Sequence, residues 1–301
     1  MSEILNWYND VLKDFNERSL AKKIKAYEAD NFPILDNDKI HFIRCDGRHF
    51  KSFCKGFKKP FDNIFRNAMR RTMVALCEEV SGAFLGYTQS DEITIVFKKA
   101  NEESELHFNG RKNKIATSTA ASCTIFFNKF FEDELEKAKA IRIAEILKEE
   151  EDNITCMKHN MKDIKMMVDM EYASYIKKLM VATFDGRVFS MPRKECSEGV
   201  IWRIMDCHKN AIQMIARCHF SLKELHGKKT YEMKEMLNQK GNYLIKEDIR
   251  NLYGTICYKK EMKLYENTER ECIRSKFVCD EPYDKVLDRY KILGGEAIIN
   301  L

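Results

Sequence analysis

The stretch KIHFIRCDGRHFKSF, residues 39–53, joins an apolar segment to a polar turn. Residues 39–45 are rich in apolar and β-branched side chains and predict a strand that runs directly into Asp46. The Asp46-Gly47 pair is an ordinary turn signal, so on its own it favours a structural interpretation. The same Asp-Gly-Arg-x-Phe pattern returns in TFDGRVFSMP, residues 183–192. The repeat raises the question of whether both copies take part in chemistry.

The residues between the two copies predict a helix, a hairpin and a second helix. Apolar residues recur every three or four positions over 61–80, which indicates one buried face of an amphipathic helix. Residues 83–87 and 93–97 predict two strands joined by a short turn. A second helix is predicted over about 112–130. With a further strand at 183–191, the order becomes β-α-β-β-α-β, the split βαβ arrangement.

Residues 131–180 interrupt this order. The segment is highly charged and contains neither proline nor glycine, so it predicts an inserted helical element. Further along, the apolar residues around Trp202 and Ile212 indicate a core helix.

The composition predicts a reduced, folded protein outside the membrane. The chain has 301 residues, of which 44% are apolar and 33% charged. Its first ten residues lack the apolar segment of a signal peptide, and no apolar run reaches the roughly 18 residues of a membrane span. The eleven cysteines are an odd number and form no Cys-x-x-Cys pair. These features favour a cytoplasmic location with free thiols.

Positive charge is concentrated near the first copy. The net charge is only +5, yet the segment from 44 to 71 carries nine basic residues: Arg44, Arg48, Lys51, Lys55, Lys58, Lys59, Arg66, Arg70 and Arg71. Only Asp46 and Asp62 oppose them. Such a segment suits a phosphate-rich ligand, although on charge alone a solvated basic surface is the simpler interpretation.

Two carboxylates fall at the ends of predicted strands. Asp46 ends the first strand, and Asp91 lies in the turn of the hairpin. Neighbouring carboxylates repel each other unless a cation neutralises them, and Mg²⁺ prefers oxygen ligands. Two such ions about 3.5–4 Å apart can activate an attacking oxygen and stabilise a leaving one. Together with the basic loop, the pair predicts a site for a metal-bound nucleoside triphosphate.

The motifs, taken in order, resemble the tRNA(His) guanylyltransferase family of 3′-5′ nucleotide-adding polymerases. The segments that carry the resemblance are RCDGRHFKSF, KGFKKPFD, GYTQSDEITIVF, FDGRVFSMP and WRIMDCHKNAI, all between residues 44 and 211. The segment LAKKIKAYEAD, residues 20–30, is similar to the family's N-terminal helix. The resemblance implies an α+β fold with a polymerase/cyclase-like palm, which is a ferredoxin-like βαββαβ core with added helices and a helical insert.

The resemblance also divides the chain into four parts. Residues 1–130 would hold the N-terminal helix and the first part of the palm, and 131–180 the insert. Residues 181–225 would complete the palm, and 226–301 would form a mixed C-terminal region. The family acts on the 5′ end of tRNA after that end is activated by ATP or GTP, uses two Mg²⁺ ions and forms homotetramers.

Site residues carry over from the family by their motifs. Asp46 and Asp91 would be catalytic and ligate both Mg²⁺ ions, with the Gly47 carbonyl as a further ligand. Residues implied to bind nucleotide are Asp46, Gly47, Arg48, His49, Phe50, Lys51, Lys59, Ser90, Asp91, Arg111 and Lys114. Lys59 and Asp62 match the family's K-P-x-D loop, and His208 would lie near the activated 5′ end. The second copy, at Asp185, matches a strand segment outside the metal site, so it is assigned a structural or substrate-positioning role.

Two departures bear on the substrate. Lys51 replaces the histidine usual in the guanylyltransferases, and HKNA at 208–211 replaces the H-I-N-N motif of eukaryotic enzymes that add G to histidine tRNA. The segment KGFKKPFD is more similar to the family's template-dependent branch, which repairs 5′-truncated tRNA. Repair is therefore the favoured activity, with addition of G at position −1 as an alternative.

Two other classes of function remain open. A palm-type nucleotide cyclase would use the same pair of carboxylates but consume nucleoside triphosphate without RNA. A non-catalytic RNA-binding protein would need neither carboxylate, so the joint presence of Asp46, Gly47 and Asp91 argues against it.

Overall fold

The computed structural model describes residues 33–101, 103–152, 159–241, 243–244, 247–264 and 272–279. The predicted N-terminal helix at 20–30 and the last part of the C-terminal region, 280–301, lie outside the described residues.

An antiparallel sheet of six strands forms the centre of the described chain. Its strands are β1 (Ile40–Gly47), β2 (Ala83–Gln89), β3 (Glu92–Phe97), β4 (Phe184–Met191), β5 (Thr255–Leu264) and β6 (Cys272–Cys279). They lie in the order β4-β1-β3-β2-β5-β6. The first four strands have the predicted βαββαβ connectivity, and β5 and β6 extend the sheet beyond β2. The α+β prediction is confirmed.

Helices flank the sheet. The described helices are α1 (Phe50–Phe53), α2 (Asn63–Glu79), α3 (Lys112–Asp152), α4 (Met161–Glu171), α5 (Ala173–Ile176), α6 (Cys196–His219), α7 (Leu222–Leu225), α8 (Thr230–Gly241) and α9 (Ile249–Tyr253). Helix α2 begins after Asp62, whose side chain accepts a hydrogen bond from the Phe65 amide at 2.9 Å. That contact caps an otherwise unpaired helix end.

Helix α3 is much longer than predicted. It has 41 residues, about 62 Å at 1.5 Å per residue, whereas the sequence predicted an end near 130. Charged pairs one turn apart, such as Lys137 with Glu134 at 2.7 Å, support its second half. That half also binds α4, through Lys139 and Asp169 at 2.8 Å. One continuous helix therefore belongs to both the sheet domain and the predicted insert.

The two sheet faces pack against different helices. Helices α2 and α3 cover the face that carries Ile43 and Cys45, whereas α6 covers the face that carries Phe42. Aromatic rings concentrate under the turn that follows β1: Phe50, Phe53, Phe57, Phe65, Phe127, Phe131, Tyr175 and Phe184. We call this set the aromatic cluster. It holds α1 in place and thereby fixes the chain next to Asp46.

Phe127 lies at the centre of the aromatic cluster, fully buried in α3. We expect Phe127→Ala to lower the free energy of unfolding by roughly 3–5 kcal/mol, because it removes the ring and leaves a cavity. Ile125→Ala, on the same helix but 65% exposed, is the control and should change it by no more than about 0.5 kcal/mol. Urea denaturation measures both values, and equal losses would contradict this description of the core.

Candidate active site

The structure brings Asp46 and Asp91 to the same end of two neighbouring strands. Asp46 is near the end of β1, and Asp91 lies in the tight turn between β2 and β3. The Gly47 amide donates a hydrogen bond to the Asp91 carbonyl at 3.1 Å. Burial raises the pKa of the Asp91 carboxyl, the Ser90 hydroxyl at 2.8 Å lowers it, and the charge of Asp46 raises it again. Asp91 is therefore a half-buried acid beside a second acid.

Packing against Phe50 requires a residue without a side chain at position 47. A Cβ atom at this position would lie 2.3 Å from the Phe50 ring, which is buried in the aromatic cluster. His49, with φ of 59°, then turns the chain into α1. Arg48 and His49 are exposed and lie in the turn directly after Asp46.

The second Asp-Gly-Arg copy lies directly beside the first. Strand β4 pairs antiparallel with β1, and Asp185 is opposite Asp46 in the register. Arg187 lies 3.8 Å from the Asp46 carboxylate and 3.3 Å from Asp185. The prediction that this copy forms a strand is confirmed, and its structural or substrate-positioning role stays a prediction. Its position directly beside Asp46 was not predicted. Because β1 and β4 are neighbours in the βαββαβ topology, the repeated motif could have indicated that the two Asp-Gly-Arg copies lie side by side.

A buried ion pair on the other side of Asp46 was not predicted. Glu92 is opposite Asp46 in the pairing of β1 with β3, and Arg203 of α6 donates a hydrogen bond to it. Arg203 also contacts Asp206 at 2.9 Å. Burial raises the pKa of Glu92, and the charge of Arg203 opposes that increase. The pair ties α6 to the sheet next to the predicted carboxylates.

A cavity of about 500 Å³ opens beside Asp91. Of the predicted residues, Phe50, Lys51, Lys59, Ser90 and Asp91 line it. Among the described residues, seven basic side chains contribute to its wall: Lys51, Lys58, Lys59, Arg66, Arg70, Arg217 and Arg250. The acidic residues of the wall are Asp62 and Asp91, and Asp62 already accepts hydrogen bonds from Phe65, Lys58 and Tyr175. This balance favours an anionic ligand.

Arg70 is the cation of the wall best prepared for a phosphate. Its Nε donates to Thr255 Oγ1 at 2.9 Å, while its Nη2 is buried with no hydrogen-bond partner among the described residues. Burial lowers the pKa of Arg70 to about 10. Its neighbour Arg66 is paired with Asp248 at 3.1 Å, although its Nε is likewise buried without a hydrogen-bond partner among the described residues. A buried guanidinium with an unpaired donor gains most from an anion.

Arg111 and Lys114 lie at the start of α3, outside the cavity wall. Arg111 pairs with Ile34, and the nearby His107 ring contacts Phe97, which is opposite His41 at the start of β1. Two residues after Lys114, the Ala116 carbonyl packs against Gly186 of β4, which is opposite Cys45. Neither basic side chain lines the cavity within the described residues, so the nucleotide-binding role of this pair stays a prediction.

His208 is adjacent to the cavity without lining it. The neighbouring Cys207, Asn210 and Ala211 of α6 contribute to the wall, whereas the His208 ring stacks on Tyr253 at 4.6 Å. Burial lowers the pKa of His208, and the charge of Lys234 lowers it further. The imidazole is therefore predominantly neutral near pH 7.

Within the described part of the chain, no group of three or more His, Cys, Asp or Glu side chains is arranged to hold a metal ion. In the same part of the chain, no helix is both long and apolar enough to cross a membrane.

Comparisons with known proteins agree with this architecture. Uncharacterized protein R259 of Acanthamoeba polyphaga mimivirus is 26% identical over 289 residues, which cover 92% of this chain and 86% of that protein. A probable tRNA(His) guanylyltransferase of Drosophila melanogaster is 40% identical over 78 residues, 25% of this chain and 27% of the relative. The corresponding human protein is 29% identical over 119 residues, 39% of each chain. These two alignments span well under half of the named enzymes.

Solved structures share the fold over most of the chain. A bacterial tRNA(His) guanylyltransferase (Thg1)-like protein in complex with ATP aligns with a TM-score of 0.67 and 25% identity, covering 93% of this chain and 98% of that one. The tRNA(His) guanylyltransferase of Saccharomyces cerevisiae aligns with a TM-score of 0.51 and 19% identity, over 83% and 94% of the two chains, which is a likeness of fold. The family model described as tRNAHis guanylyltransferase (Thg1) matches residues 21–192, more than half of the 301. The chain therefore belongs to the tRNAHis guanylyltransferase family of nucleotidyltransferases.

Proposed function

We propose that this protein adds nucleotides to the 5′ end of tRNA in the 3′-5′ direction and repairs truncated ends by copying a template. The observation that carries the proposal is that Asp91 lines a cationic cavity and lies close to Asp46. Bacterial neighbours of the same fold were solved in complex with ATP and with GTP, which supports a nucleotide in this cavity. The proposed partners are tRNA and nucleoside triphosphates, and the proposed assembly is a homotetramer in the cytoplasm.

Asp46 and Asp91, with the Gly47 carbonyl, are the residues that would hold Mg²⁺. The fit rests on two neighbouring acids, one of which is half-buried with a raised pKa and so gains from a nearby cation. Mg²⁺ retains water and substrate phosphates in its coordination shell, so two carboxylates suffice as protein ligands. When bound, it would activate the attacking hydroxyl and neutralise charge on the phosphates.

The basic wall would bind the triphosphate of the incoming nucleotide. Lys51, Lys59 and Ser90 lie on the wall together with Asp91, so phosphates in the cavity are held next to the proposed metal ligands. Arg70 supplies the buried donor. Fixed cations in a partly enclosed site stabilise the charge that develops as phosphorus–oxygen bonds change.

The reaction joins the 3′-hydroxyl of the incoming nucleotide to the activated 5′ phosphate of the RNA, and AMP or pyrophosphate leaves. Asn210, Gln213 and Arg217 of α6 line the same cavity and are placed to contact an activating ATP or GTP. His208, which is neutral near pH 7 and two residues before Asn210, would lie near the activated 5′ end of the RNA. HKNA at 208–211 differs from the motif of enzymes restricted to histidine tRNA, which supports repair.

The first test uses Mg²⁺, ATP, all four nucleoside triphosphates and a tRNA that lacks its first 5′ nucleotide. We expect template-matched growth at the 5′ end, resolved by gel electrophoresis. Asp46→Ala and Asp91→Ala should lower the rate at least a hundredfold, because each removes a group that acts on the reacting phosphate. Asp38→Asn, an exposed carboxylate at the far end of the sheet, should leave it unchanged.

The alternatives give different products in this assay. Addition of G to histidine tRNA alone would establish the guanylyltransferase activity in place of repair. Consumption of nucleoside triphosphate without RNA would establish a cyclase, and nucleotide-independent RNA binding would indicate a non-catalytic protein.

The contribution of Arg70 to nucleotide binding can be tested with the adjacent Arg71 as a control. Arg70→Met should weaken ATP binding roughly tenfold, because it removes a charged hydrogen bond to phosphate. Arg71→Met should have little effect, since Arg71 is engaged by Asp133 at 2.7 Å and Glu134 at 2.9 Å. Isothermal titration calorimetry measures both dissociation constants. Equal weakening by the two variants would show that only general charge matters.

The raised pKa of Asp91 predicts a pH-dependent stability difference between wild type and Asp91→Asn. In the absence of metal, the variant should have the higher free energy of unfolding at pH 7, because it lacks the partly desolvated charge. The folded wild type binds the proton more tightly than the unfolded chain, so its disadvantage diminishes as the pH falls toward about 4. Denaturation curves between pH 4 and 8 measure this difference.

Mg²⁺ provides the complementary measurement for Asp91. At pH 7, added Mg²⁺ with GTP should raise the melting temperature of wild type by mass action and leave that of Asp91→Asn nearly unchanged. A variant that is less stable at every pH, or that gains as much from Mg²⁺ as wild type, would contradict the role of Asp91.

A further inference from the structure

Trp202 is exposed on α6, although its apolar surroundings in the sequence predicted a core position. Its side chain is 56% exposed, as is that of Met205 one turn further along. The apolar residues of α6 that face the sheet are instead Val200 and Ile204. Trp202 and Met205 are thus exposed together on a helix whose other side packs on the sheet, and a neighbouring pair of large apolar side chains in solvent is a candidate contact surface.

Trp202 lies on the sheet face that carries the acids. The adjacent residue, Arg203, binds Glu92, which is opposite Asp46 in the register. Arg44 lies with its guanidinium carbon 5.8 Å from the centre of the Trp202 ring. Because Arg44 precedes Asp46 by two residues, both side chains leave the same face of β1, roughly 7 Å apart. The indole is therefore close to the proposed catalytic end of the strand.

The chemistry around the ring suits a nucleic acid strand. The guanidinium of Arg203 is 4.5 Å from the ring centre, and Arg187, 50% exposed, is opposite Arg44 on β4. Exposed aromatic rings next to arginines are the elements with which proteins bind unpaired nucleotides: the ring stacks on a base and the cations face the backbone. Trp202 is not part of the cavity wall, so its ligand is distinct from the bound nucleoside triphosphate.

We propose that Trp202 stacks on a nucleobase of the RNA strand whose 5′ end reacts at Asp46, with Arg187 facing its phosphates. This inference rests on the proposed function, since it assigns the RNA of that reaction to a surface beside the acids. It makes Trp202 a positioning residue for the polynucleotide and leaves the cavity to the incoming nucleotide.

Fluorescence provides a direct test, because the chain has only two tryptophans, Trp7 and Trp202. In Trp7→Phe, all indole emission comes from Trp202. We expect a tRNA that lacks its first 5′ nucleotide to quench this emission with saturation, and ATP or GTP alone to leave it unchanged. Trp202→Phe retains Trp7, so the loss of its emission on adding RNA measures the part of the signal change that does not arise at Trp202, including absorption of light by the RNA.

Kinetics provide the second readout. Trp202→Ala should raise KM for the truncated tRNA roughly tenfold, the effect of losing one stacked base, with little change in KM for the nucleoside triphosphates. Trp202→Phe should restore most of the loss, since phenylalanine also stacks. Tyr231→Ala is the matched control, because that aromatic side chain is 66% exposed on α8 and lies outside the cavity wall. Circular dichroism melting confirms that each variant is folded.

The outcomes separate this inference from the proposed function. Suppose that labelled tRNA binds and is extended, but does not quench emission in Trp7→Phe, and that Trp202→Ala has the KM of wild type for tRNA. The stacking role is then wrong, and the proposed function stands. Quenching by nucleoside triphosphate without RNA would overturn the assignment to the polynucleotide. If wild type neither binds nor extends any tRNA, the proposed function itself fails, and the inference with it.

Discussion

The site depends on a row of like charges that adjacent strands place side by side. The pairing of β1 with β3 and β4 sets Asp46 directly between Glu92 and Asp185. Carboxylates opposite one another across a sheet destabilise the pairing, and two arginines offset this: Arg203 on the Glu92 side and Arg187 on the Asp185 side. The remaining electrostatic repulsion is offset by packing, because the aromatic cluster and Gly47 hold the end of β1 in one position. The three carboxylates, which we call the acid row, therefore depend on the aromatic cluster for their arrangement.

The helical segment after residue 130 is a structural support for the basic loop that precedes α2. Tyr175 of α5 donates a hydrogen bond to Asp62, and its oxygen accepts one from the Lys58 amide at 3.2 Å. Lys178 reaches the Ser52 carbonyl at 3.1 Å. These contacts shape the wall of the cavity from outside, because the loop carries several of its cations. The segment that the sequence predicted as an insert therefore supports the wall of the cavity.

Local features of the site followed from the sequence, whereas pairings between distant segments mostly did not. The strand that ends at Asp46, the hairpin that carries Asp91 and the βαββαβ connectivity were predicted from periodicity and turn residues, whereas β5 and β6 were not predicted. The ion pair of Glu92 with Arg203 joins residues 111 positions apart, and no local pattern marks it. Arg111 is a different case, because it was predicted to bind nucleotide and does not line the cavity within the described residues. Trp202 shows a third limit, because an apolar neighbourhood along a helix does not say which side faces the core.

Helix α6 connects the two surfaces that the proposed reaction needs. Trp202 and Arg203 lie near its start on the acid row, and Arg217, near its end, lines the cavity. Cys207 and Asn210 between them also line it, so the cavity wall begins roughly 8 Å from Trp202 along the axis and extends to roughly 22 Å, spacings that stay fixed unless the helix breaks. The buried ion pair of Arg203 with Glu92 fixes this helix against the sheet, so it also fixes how far the RNA surface lies from the nucleotide cavity. A base stacked on Trp202 and phosphates held by the wall would then meet at Asp46 and Asp91, where the carboxylates stand. On this argument, Arg203 contributes to the reaction through geometry, without contact with the reacting atoms.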